Sequence, residues 1–195
     1  MSATVAEAKR ALRRRALARR KKLNDPDVAK DAAAAAAAHL LRSIDTAPGQ
    51  TVAGYAAMRG EIDPRPALLA LEVKGCRTVL PYTTGRGEPL RFLEAPGGVA
   101  GSIDALGIAA PPASATEHDP DLLLVPLAAF DKRGYRLGYG GGFYDAALAR
   151  LRAGGPVTAV GWAFAAQEVE AVPAEPHDAR LDWIVTEREA IYISG

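Results

Sequence analysis

Apolar residues near the start of the chain recur at helical spacing. The first 22 residues are rich in Ala, Leu, Arg and Lys, and the apolar stripe consists of Val5, Leu12, Ala16 and Leu23. This pattern predicts an N-terminal helix. A second helix is predicted from Asp25, whose side chain can cap it, through an alanine run that reaches Leu41.

From residue 51 onward, short apolar runs alternate with amphipathic segments. Strands are predicted at 51–57, 77–80, 88–94, 122–127, 157–162, 183–186 and 191–193, and helices at 66–74 and about 142–152. The run at 122–127 is the most continuous, as expected of a central strand buried on both faces. The segment 97–120 is rich in Gly, Pro and Ala and is predicted to be a long loop.

Strands that alternate with helices at this spacing predict an α/β fold, a three-layer sandwich with a mostly parallel central sheet and helices on both faces. The sequence contains no internal repeat and no evident linker. We therefore expect residues 1–195 to form a single domain, with residues 1–23 as its basic N-terminal helix.

The charge of the chain is balanced in total but unevenly distributed. There are 24 basic and 23 acidic side chains, a net charge of +1, yet residues 1–22 hold nine basic side chains against one acidic. Such a block is most typical of a solvated helix face, and a nucleic-acid contact or a phosphate site are the alternatives. On a helix, Lys9 and Arg13 would point the same way and could together hold one anion.

Composition also limits where the protein works. The longest uncharged apolar run, 122–130, is far shorter than the roughly 20 residues that cross a bilayer, so we expect no membrane partner. Cys76 is the single cysteine and cannot form an internal disulfide. The basic start has no apolar core of a signal peptide, and we expect a cytoplasmic protein.

The strongest chemical signal follows the predicted strand at 122–127 and opens the predicted helix at 142. It reads Arg136-Leu137-Gly138-Tyr139-Gly140-Gly141-Gly142-Phe143-Tyr144-Asp145. Four glycines in five positions can present backbone N–H groups and a helix N-terminus to an anion, and Arg136 adds a bidentate donor. The stretch is neither a Walker A motif nor a Rossmann fingerprint. A phosphate site is favoured over a merely flexible turn.

Three carboxylates are further candidates. Asp145 could simply interact favourably with the dipole of the predicted helix. Beside a bound phosphate, however, the carboxylate would be repelled unless a cation lay between them. Mg²⁺ is a suitable cation because it binds carboxylate and phosphate oxygens. Asp178, in a polar loop before the last strands, could be a second ligand or an ordinary cap. Glu61 could accept two hydrogen bonds from an amino-heterocycle, with Met58 as an apolar wall, although a helix-initiating role is the simpler interpretation.

Taken together, these motifs resemble those of the 5-formyltetrahydrofolate cyclo-ligases, also called 5,10-methenyltetrahydrofolate synthetases. The resemblance rests on four ordered segments, 9–13, 58–63, 125–145 and 172–182. It implies an ATP- and Mg²⁺-dependent closure of 5-formyltetrahydrofolate to 5,10-methenyltetrahydrofolate with release of ADP and phosphate. The formyl oxygen would be phosphorylated and N10 would then attack. An amide oxygen has no proton to remove, so a catalytic His or Cys is not required.

The resemblance also implies roles for individual residues. The aspartates Asp145 and Asp178 would serve Mg²⁺. The ATP site would contain Lys9, Arg10, Arg13, Arg136, Gly138, Tyr139, Gly140, Gly141, Gly142 and Tyr144. The folate would be bound by Ala56, Met58, Glu61, Tyr139, Gly140, Gly141, Gly142 and Phe143. Relatives often have tyrosine where Phe143 stands and some have lysine where Gly141 stands, so neither a phenol nor an ammonium contact is expected at those positions.

Two other functions are compatible with parts of the sequence. A sugar-phosphate enzyme of similar α/β architecture would use the glycine-rich loop for its substrate's phosphate. A nucleic-acid binder would use the cations of residues 9–22 and would show steep salt dependence, but it would leave Glu61 and Asp145 without a role. We expect a monomer with no nucleic-acid partner.

Overall fold

The computed structural model describes residues 4–21 and 25–194. The helices are α1 Val5–Arg20, α2 Pro26–Ser43, α3 Arg65–Val73 and α4 Phe143–Gly154. The strands are β1 Thr51–Ala53, β2 Arg77–Tyr82, β3 Arg91–Glu94, β4 Ser102–Ile103, β5 Ala109–Ala110, β6 Leu122–Pro126, β7 Ala129–Phe130, β8 Arg136–Leu137, β9 Thr158–Trp162, β10 Trp183–Val185 and β11 Ala190–Tyr192. Positions 1–3, 22 and 23 of the predicted first helix, including Leu23 of its stripe, lie outside the described residues.

Seven strands form the central sheet in the order β11-β10-β9-β6-β1-β2-β3. The five inner strands, from β10 to β2, run parallel, and β11 and β3 add an antiparallel edge on either side. β6 lies in the middle and pairs with β9 over five positions. The prediction of a mostly parallel sheet with a buried central strand is confirmed.

Alternate residues of the sheet enter two separate cores. Leu122 and Leu124 of β6 pack in the cluster that contains α2 and α3, whereas Leu123 and Val125 pack in the cluster that contains α4. This alternation follows from the two-residue period of a strand whose two faces are both covered. The three-layer sandwich predicted from the sequence is therefore observed.

Some boundaries differ from the predictions. β1 ends at Ala53 and not at residue 57, and the chain from Gly54 to Pro64 is a loop that begins at the carboxyl end of β1. β2 continues through Pro81, which lies beyond the last β1 pairing and so interrupts no hydrogen bond to β1. The segment predicted to be a long loop contains the hairpin of β4 and β5.

Helix α1 does not cover a face of the sheet. Its Leu12 and Ala16 pack against Ala129 and Leu137 of the β7–β8 hairpin and against Val172. The hairpin follows directly after β6, so α1 lies near the carboxyl ends of the parallel strands, where ligands bind in open α/β sheets. Within residues 4–21 and 25–194, no helix has the length and apolar content needed to cross a membrane.

Candidate active site

Helix α1 brings two of its cations to the predicted site. The Arg13 side chain crosses the glycine-rich loop, where its Nε donates to the Gly138 carbonyl oxygen at 2.7 Å. Its guanidinium lies so close to Gly140 that a Cβ built there would be 3.3 Å from Arg13 Cζ. Arg10 is solvent-exposed on the same helix.

Lys9, one turn earlier, reaches the loop that precedes β10. Its Nζ lies 2.8 Å from Glu175 Oε2 and 2.6 Å from Asp178 Oδ2. Burial opposes both charges, but the hydrogen bonds between them outweigh it, so the pKa of Lys9 is raised and the pKa of Asp178 is lowered. The sequence predicted Lys9 and Arg13 as a pair for one anion; each is held by a different segment of the protein.

The glycine-rich loop ends in a helix N-terminus to which no described residue provides a side-chain cap. Gly142 is the N-cap of α4 with a φ of 68°, and Gly140 has a φ of 96°. Both values are in the left-handed region that favours glycine. With no capping side chain, the N–H groups of the first turn are left for another acceptor, as in helix-terminal anion sites.

Gly141 and Phe143 constrain each other. A Cβ built on Gly141 would lie 2.7 Å from the Phe143 ring, so a larger residue at 141 would require the ring to move. Gly140, Gly141 and Gly142 are exposed, while Phe143 and Tyr144 are partly buried in the first turn of α4. Burial raises the pKa of the Tyr144 phenol, which keeps it neutral.

Arg136 is hydrogen-bonded to two groups outside the glycine-rich loop. Its Nη2 donates to Asp145 Oδ1 at 2.8 Å and its Nη1 donates to the Ala179 carbonyl oxygen. Its side chain is only 5% exposed, and burial lowers its pKa against the effect of Asp145 and Asp178. The sequence predicted a direct phosphate donor, whereas in the structure this guanidinium links α4 to the segment around residue 179.

Both predicted metal ligands lie close to this guanidinium. Asp145 Oδ1 accepts from Arg136 and from the Ala179 N–H, while Asp178 Oδ2 accepts from Lys9 and from the Glu175 N–H at 2.7 Å. The other oxygen of each carboxylate accepts no hydrogen bond from the described residues. Glu175, His177 and Asp178 offer ligand atoms within 4.8 Å of one another. The carboxylate oxygens of Glu175 and Asp178 fit a hard divalent cation such as Mg²⁺, but Asp145 is not part of this group.

Glu61 forms a second polar centre after β1. Its Oε2 accepts from the Met58 N–H at 2.9 Å, and its Oε1 accepts from the Tyr139 hydroxyl. The side chain is 4% exposed, and burial raises the pKa of Glu61, although Tyr139, Met58 and nearby guanidinium groups oppose that rise. Tyr139, in the middle of the glycine-rich loop, therefore joins this centre to the loop.

Sequence reasoning missed Arg20, whose side chain is among the largest fully buried ones. Its Nη2 donates to the Tyr139 hydroxyl and to the Arg59 carbonyl oxygen at 3.1 Å, and its Nη1 lies 3.8 Å from Glu61 Oε1. A spacing of seven residues puts Arg20 on the same face of α1 as Arg13. This spacing could have identified Arg20 as a site residue. It was not informative by itself, because the first 22 residues contain nine cations.

A cleft of about 250 Å³ opens beside Glu61, between the start of α2 and the loop before α3. The residues lining it are Pro26, Ala29, Lys30, Ala33, Glu61, Asp63, Arg65 and Pro66. Ala56 and Met58, the other predicted folate contacts, are partly buried in the same loop after β1. The site thus has two parts, a cation- and glycine-lined part at α1 and α4 and a carboxylate-centred part at Glu61.

Comparison with known proteins shows which family of proteins this chain resembles. The model of the 5-formyltetrahydrofolate cyclo-ligase family matches residues 5–187. The 5-formyltetrahydrofolate cyclo-ligase of Escherichia coli strain K12 is 35% identical over 144 residues, 70% of this chain and 77% of that protein. The Mycolicibacterium smegmatis 5-formyltetrahydrofolate cyclo-ligase is 32% identical over 150 residues, 73% of this chain and 76% of that protein.

Solved structures agree with these relatives. The 5,10-methenyltetrahydrofolate synthetase of Aquifex aeolicus superposes with a TM-score of 0.78 at 27% identity, covering 96% of this chain and 93% of that chain. The Mycoplasma pneumoniae 5,10-methenyltetrahydrofolate synthetase superposes with a TM-score of 0.71 at 23% identity, covering 92% and 98%. The second likeness supports the fold alone.

Proposed function

The chain belongs to the 5-formyltetrahydrofolate cyclo-ligase family, and we propose that it converts 5-formyltetrahydrofolate to 5,10-methenyltetrahydrofolate at the expense of ATP, with Mg²⁺, releasing ADP and phosphate. One observation carries the proposal: Tyr139 lies in the glycine-rich loop crossed by Arg13 and also donates to Glu61. Two substrates bound in the two parts of the site would meet at this residue.

The ATP phosphates would bind at the loop and the N-terminus of α4. The uncapped N–H groups behind Gly142 provide donors, and Arg13 and Lys9 provide positive charge from α1. Lys9, Arg13 and Arg20 all contact protein groups. These contacts are unlike those of a solvated nucleic-acid-binding face, and family membership favours a folate over a sugar phosphate.

Asp145 and Asp178 would hold Mg²⁺, which when bound would neutralise phosphate charge. Arg136 holds one oxygen of Asp145 and so fixes the direction of the other. Lys9 holds one oxygen of Asp178 in the same way. The chain's own contribution is thus to orient two carboxylates, each with one oxygen that accepts no hydrogen bond from the described residues.

The folate would bind at the Glu61 centre. An ionised carboxylate can accept hydrogen bonds from the amino group and ring N–H of the pterin, and Met58, Ala56 and the Phe143 ring would supply apolar contacts. The raised pKa of the Tyr139 phenol, due first to burial and then to Glu61, keeps Tyr139 a donor at neutral pH. Tyr139 would therefore stay hydrogen-bonded to the carboxylate while substrate binds.

The reaction then requires alignment and charge stabilisation. The formyl oxygen attacks the γ-phosphorus, the bond to ADP breaks, and the formyl carbon is left activated. N10 attacks that carbon, and phosphate leaves with the former formyl oxygen and takes up the proton that N10 loses. No base is needed for the first step, so positioning and electrostatics at Arg13 and the loop N–H groups carry the catalysis.

A product assay tests this proposal. We expect the purified protein, mixed with 5-formyltetrahydrofolate, ATP and Mg²⁺, to form methenyltetrahydrofolate, followed by absorbance, and ADP in equal amount. Arg13→Gln should raise the KM for ATP about ten-fold or more, since hydrogen bonds to charged groups contribute roughly 1.5–3 kcal/mol. Arg14→Gln, an exposed neighbour on α1, is the matched control. Unchanged ATP and no product would contradict the assignment.

A further inference from the structure

Arg20 is a cation buried where no substrate phosphate is proposed to bind. Its side chain is 1% exposed, and its guanidinium contacts three separate segments: the carbonyl oxygen of Leu127 after β6, the carbonyl oxygen of Arg59, and the Tyr139 hydroxyl. The guanidinium also lies over the Tyr139 ring, with Cζ 5.5 Å from the centroid. Two of these segments, those of Arg59 and Tyr139, adjoin Glu61.

This arrangement matches what a buried carboxylate needs. A carboxylate removed from water is unstable as an anion unless a cation and hydrogen-bond donors compensate it. Glu61 faces the Tyr139 hydroxyl, the Met58 N–H, and the guanidinium groups of Arg20 and Arg59, with the phenols of Tyr55 and Tyr144 nearby. Arg59 is exposed, so Arg20 is the buried cation of this group.

The Arg20 contacts also fix geometry. The same Nη2 atom binds the Arg59 carbonyl oxygen and the Tyr139 hydroxyl, which ties the loop after β1 to the glycine-rich loop. Arg59 has a φ of 52°, a left-handed conformation uncommon for a residue with a side chain, and the Arg20 bond holds its carbonyl oxygen there. Glu61 lies two residues further along that turn.

We propose that Arg20 is a positioning residue of the folate pocket, which orients Tyr139 and Glu61 and keeps the carboxylate ionised for substrate. This inference rests on the proposed function, because it assumes that Glu61 binds the folate. Helix α1 then serves both parts of the site, with Lys9 in its second turn and Arg13 near its middle at the ATP part and Arg20 at its end at the folate part.

The test compares 5-formyltetrahydrofolate binding by calorimetry in two backgrounds. In the wild-type background, Arg20→Gln should weaken binding about ten-fold or more, and Arg20→Lys, which keeps the charge but not the planar fork, should weaken it less. In the Glu61→Gln background, where there is no carboxylate to orient, the same substitutions should change the affinity less than about three-fold. Arg19→Gln, at an exposed position on the same helix, should have no effect in either.

The pH dependence gives an independent readout. Binding should weaken as the pH falls and Glu61 takes up a proton. Removing the Arg20 charge raises the pKa of that carboxyl further, so the weakening should begin at higher pH in Arg20→Gln than in the wild type, and Arg20→Lys should lie near the wild type.

Each outcome decides the inference. Equal losses in both backgrounds would show that Arg20 only anchors α1, and unchanged binding would also overturn the proposal. If Arg20→Gln fails to fold, Arg20→Lys is measured in the wild-type and Glu61→Gln backgrounds instead, and the two losses of affinity are compared in the same way. A wild-type protein that does not bind 5-formyltetrahydrofolate would contradict the proposed function itself, whereas a binding wild type with indifferent Arg20 variants would contradict the Arg20 role alone.

Discussion

Several charged side chains around the glycine-rich loop are buried or partly buried and lie next to side chains of opposite charge. Lys9 pairs with Asp178, Arg136 pairs with Asp145, and Arg20 faces Glu61. Removing one member of a partly buried pair leaves the other uncompensated, which costs more than the pair itself contributes. Substitutions that preserve shape are therefore the informative ones at this scale.

For Asp145 we predict that Asp145→Asn lowers kcat about ten-fold or more while the protein folds normally. The amide keeps an oxygen for Arg136 but loses the charge needed beside Mg²⁺ and phosphate. Steady-state kinetics and thermal unfolding measure the two effects. Asp119→Asn, which alters an exposed pair with Arg150, is the control, and an unaffected kcat in Asp145→Asn would remove Asp145 from the proposed metal site.

For Glu61 we predict that Glu61→Gln weakens 5-formyltetrahydrofolate binding about ten-fold or more and ATP binding much less. The amide can accept from Tyr139 or Met58, but it presents no anion to the pterin. Separate titrations with each ligand test this. A similar loss for both ligands would point to a general disturbance of the loop and not to a pterin contact.

The Lys9–Asp178 pair predicts a pH-dependent stability. The folded-state pKa of Asp178 is lowered below its usual 3.8, so the pair's contribution is present above about pH 4 and is lost as the pH falls through the lowered pKa. We expect Lys9→Met to lower the free energy of unfolding by about 1–3 kcal/mol at pH 7, between the values for exposed and fully buried pairs, because the pair is partly buried and Glu175 and Asp178 both lose their cation. In urea denaturation, this difference should shrink towards pH 3, and a difference that grows would contradict the pairing.

At the scale of elements, the central sheet could be predicted because its strands are short, continuous apolar runs, as expected of strands that are buried on both faces. The β4–β5 hairpin could not, because two-residue strands in a Gly- and Pro-rich segment give no periodicity. The engagement of Arg136 with Ala179 depends on a contact across 43 positions. The burial of Arg20 depends on where α1 packs, and charge patterning does not indicate which of nine cations faces inward.

The glycine-rich loop gives a prediction about backbone conformation. Gly142 has a φ of 68°, and a Cβ there would meet nothing within 4 Å, so Gly142→Ala introduces backbone strain without a clash. We expect it to lower the free energy of unfolding by about 1–2 kcal/mol. Gly138→Ala is the matched control, because Gly138 has open space and no positive φ. Equal effects of the two substitutions in denaturant titrations would contradict the conformational argument.

At the scale of the whole molecule, distant parts of the chain converge on one edge of the sheet. Helix α1 near the start, the loop after β1, the glycine-rich loop and the segment around residue 178 all contribute to the site. The near-neutral total charge gives no sign of this arrangement, in which several cations of helix α1 bind carboxylates and carbonyl groups elsewhere in the chain. Both substrates are therefore proposed to bind against one helix.

The most direct measurement follows the oxygen atom that the proposed reaction transfers. The protein is incubated with ATP, Mg²⁺ and 5-formyltetrahydrofolate labelled with ¹⁸O in the formyl group, and the released phosphate is analysed by mass spectrometry. The account predicts one ¹⁸O atom in each phosphate and one ADP for each methenyltetrahydrofolate formed. Product accompanied by unlabelled phosphate, or formed while ATP stays intact, would contradict it.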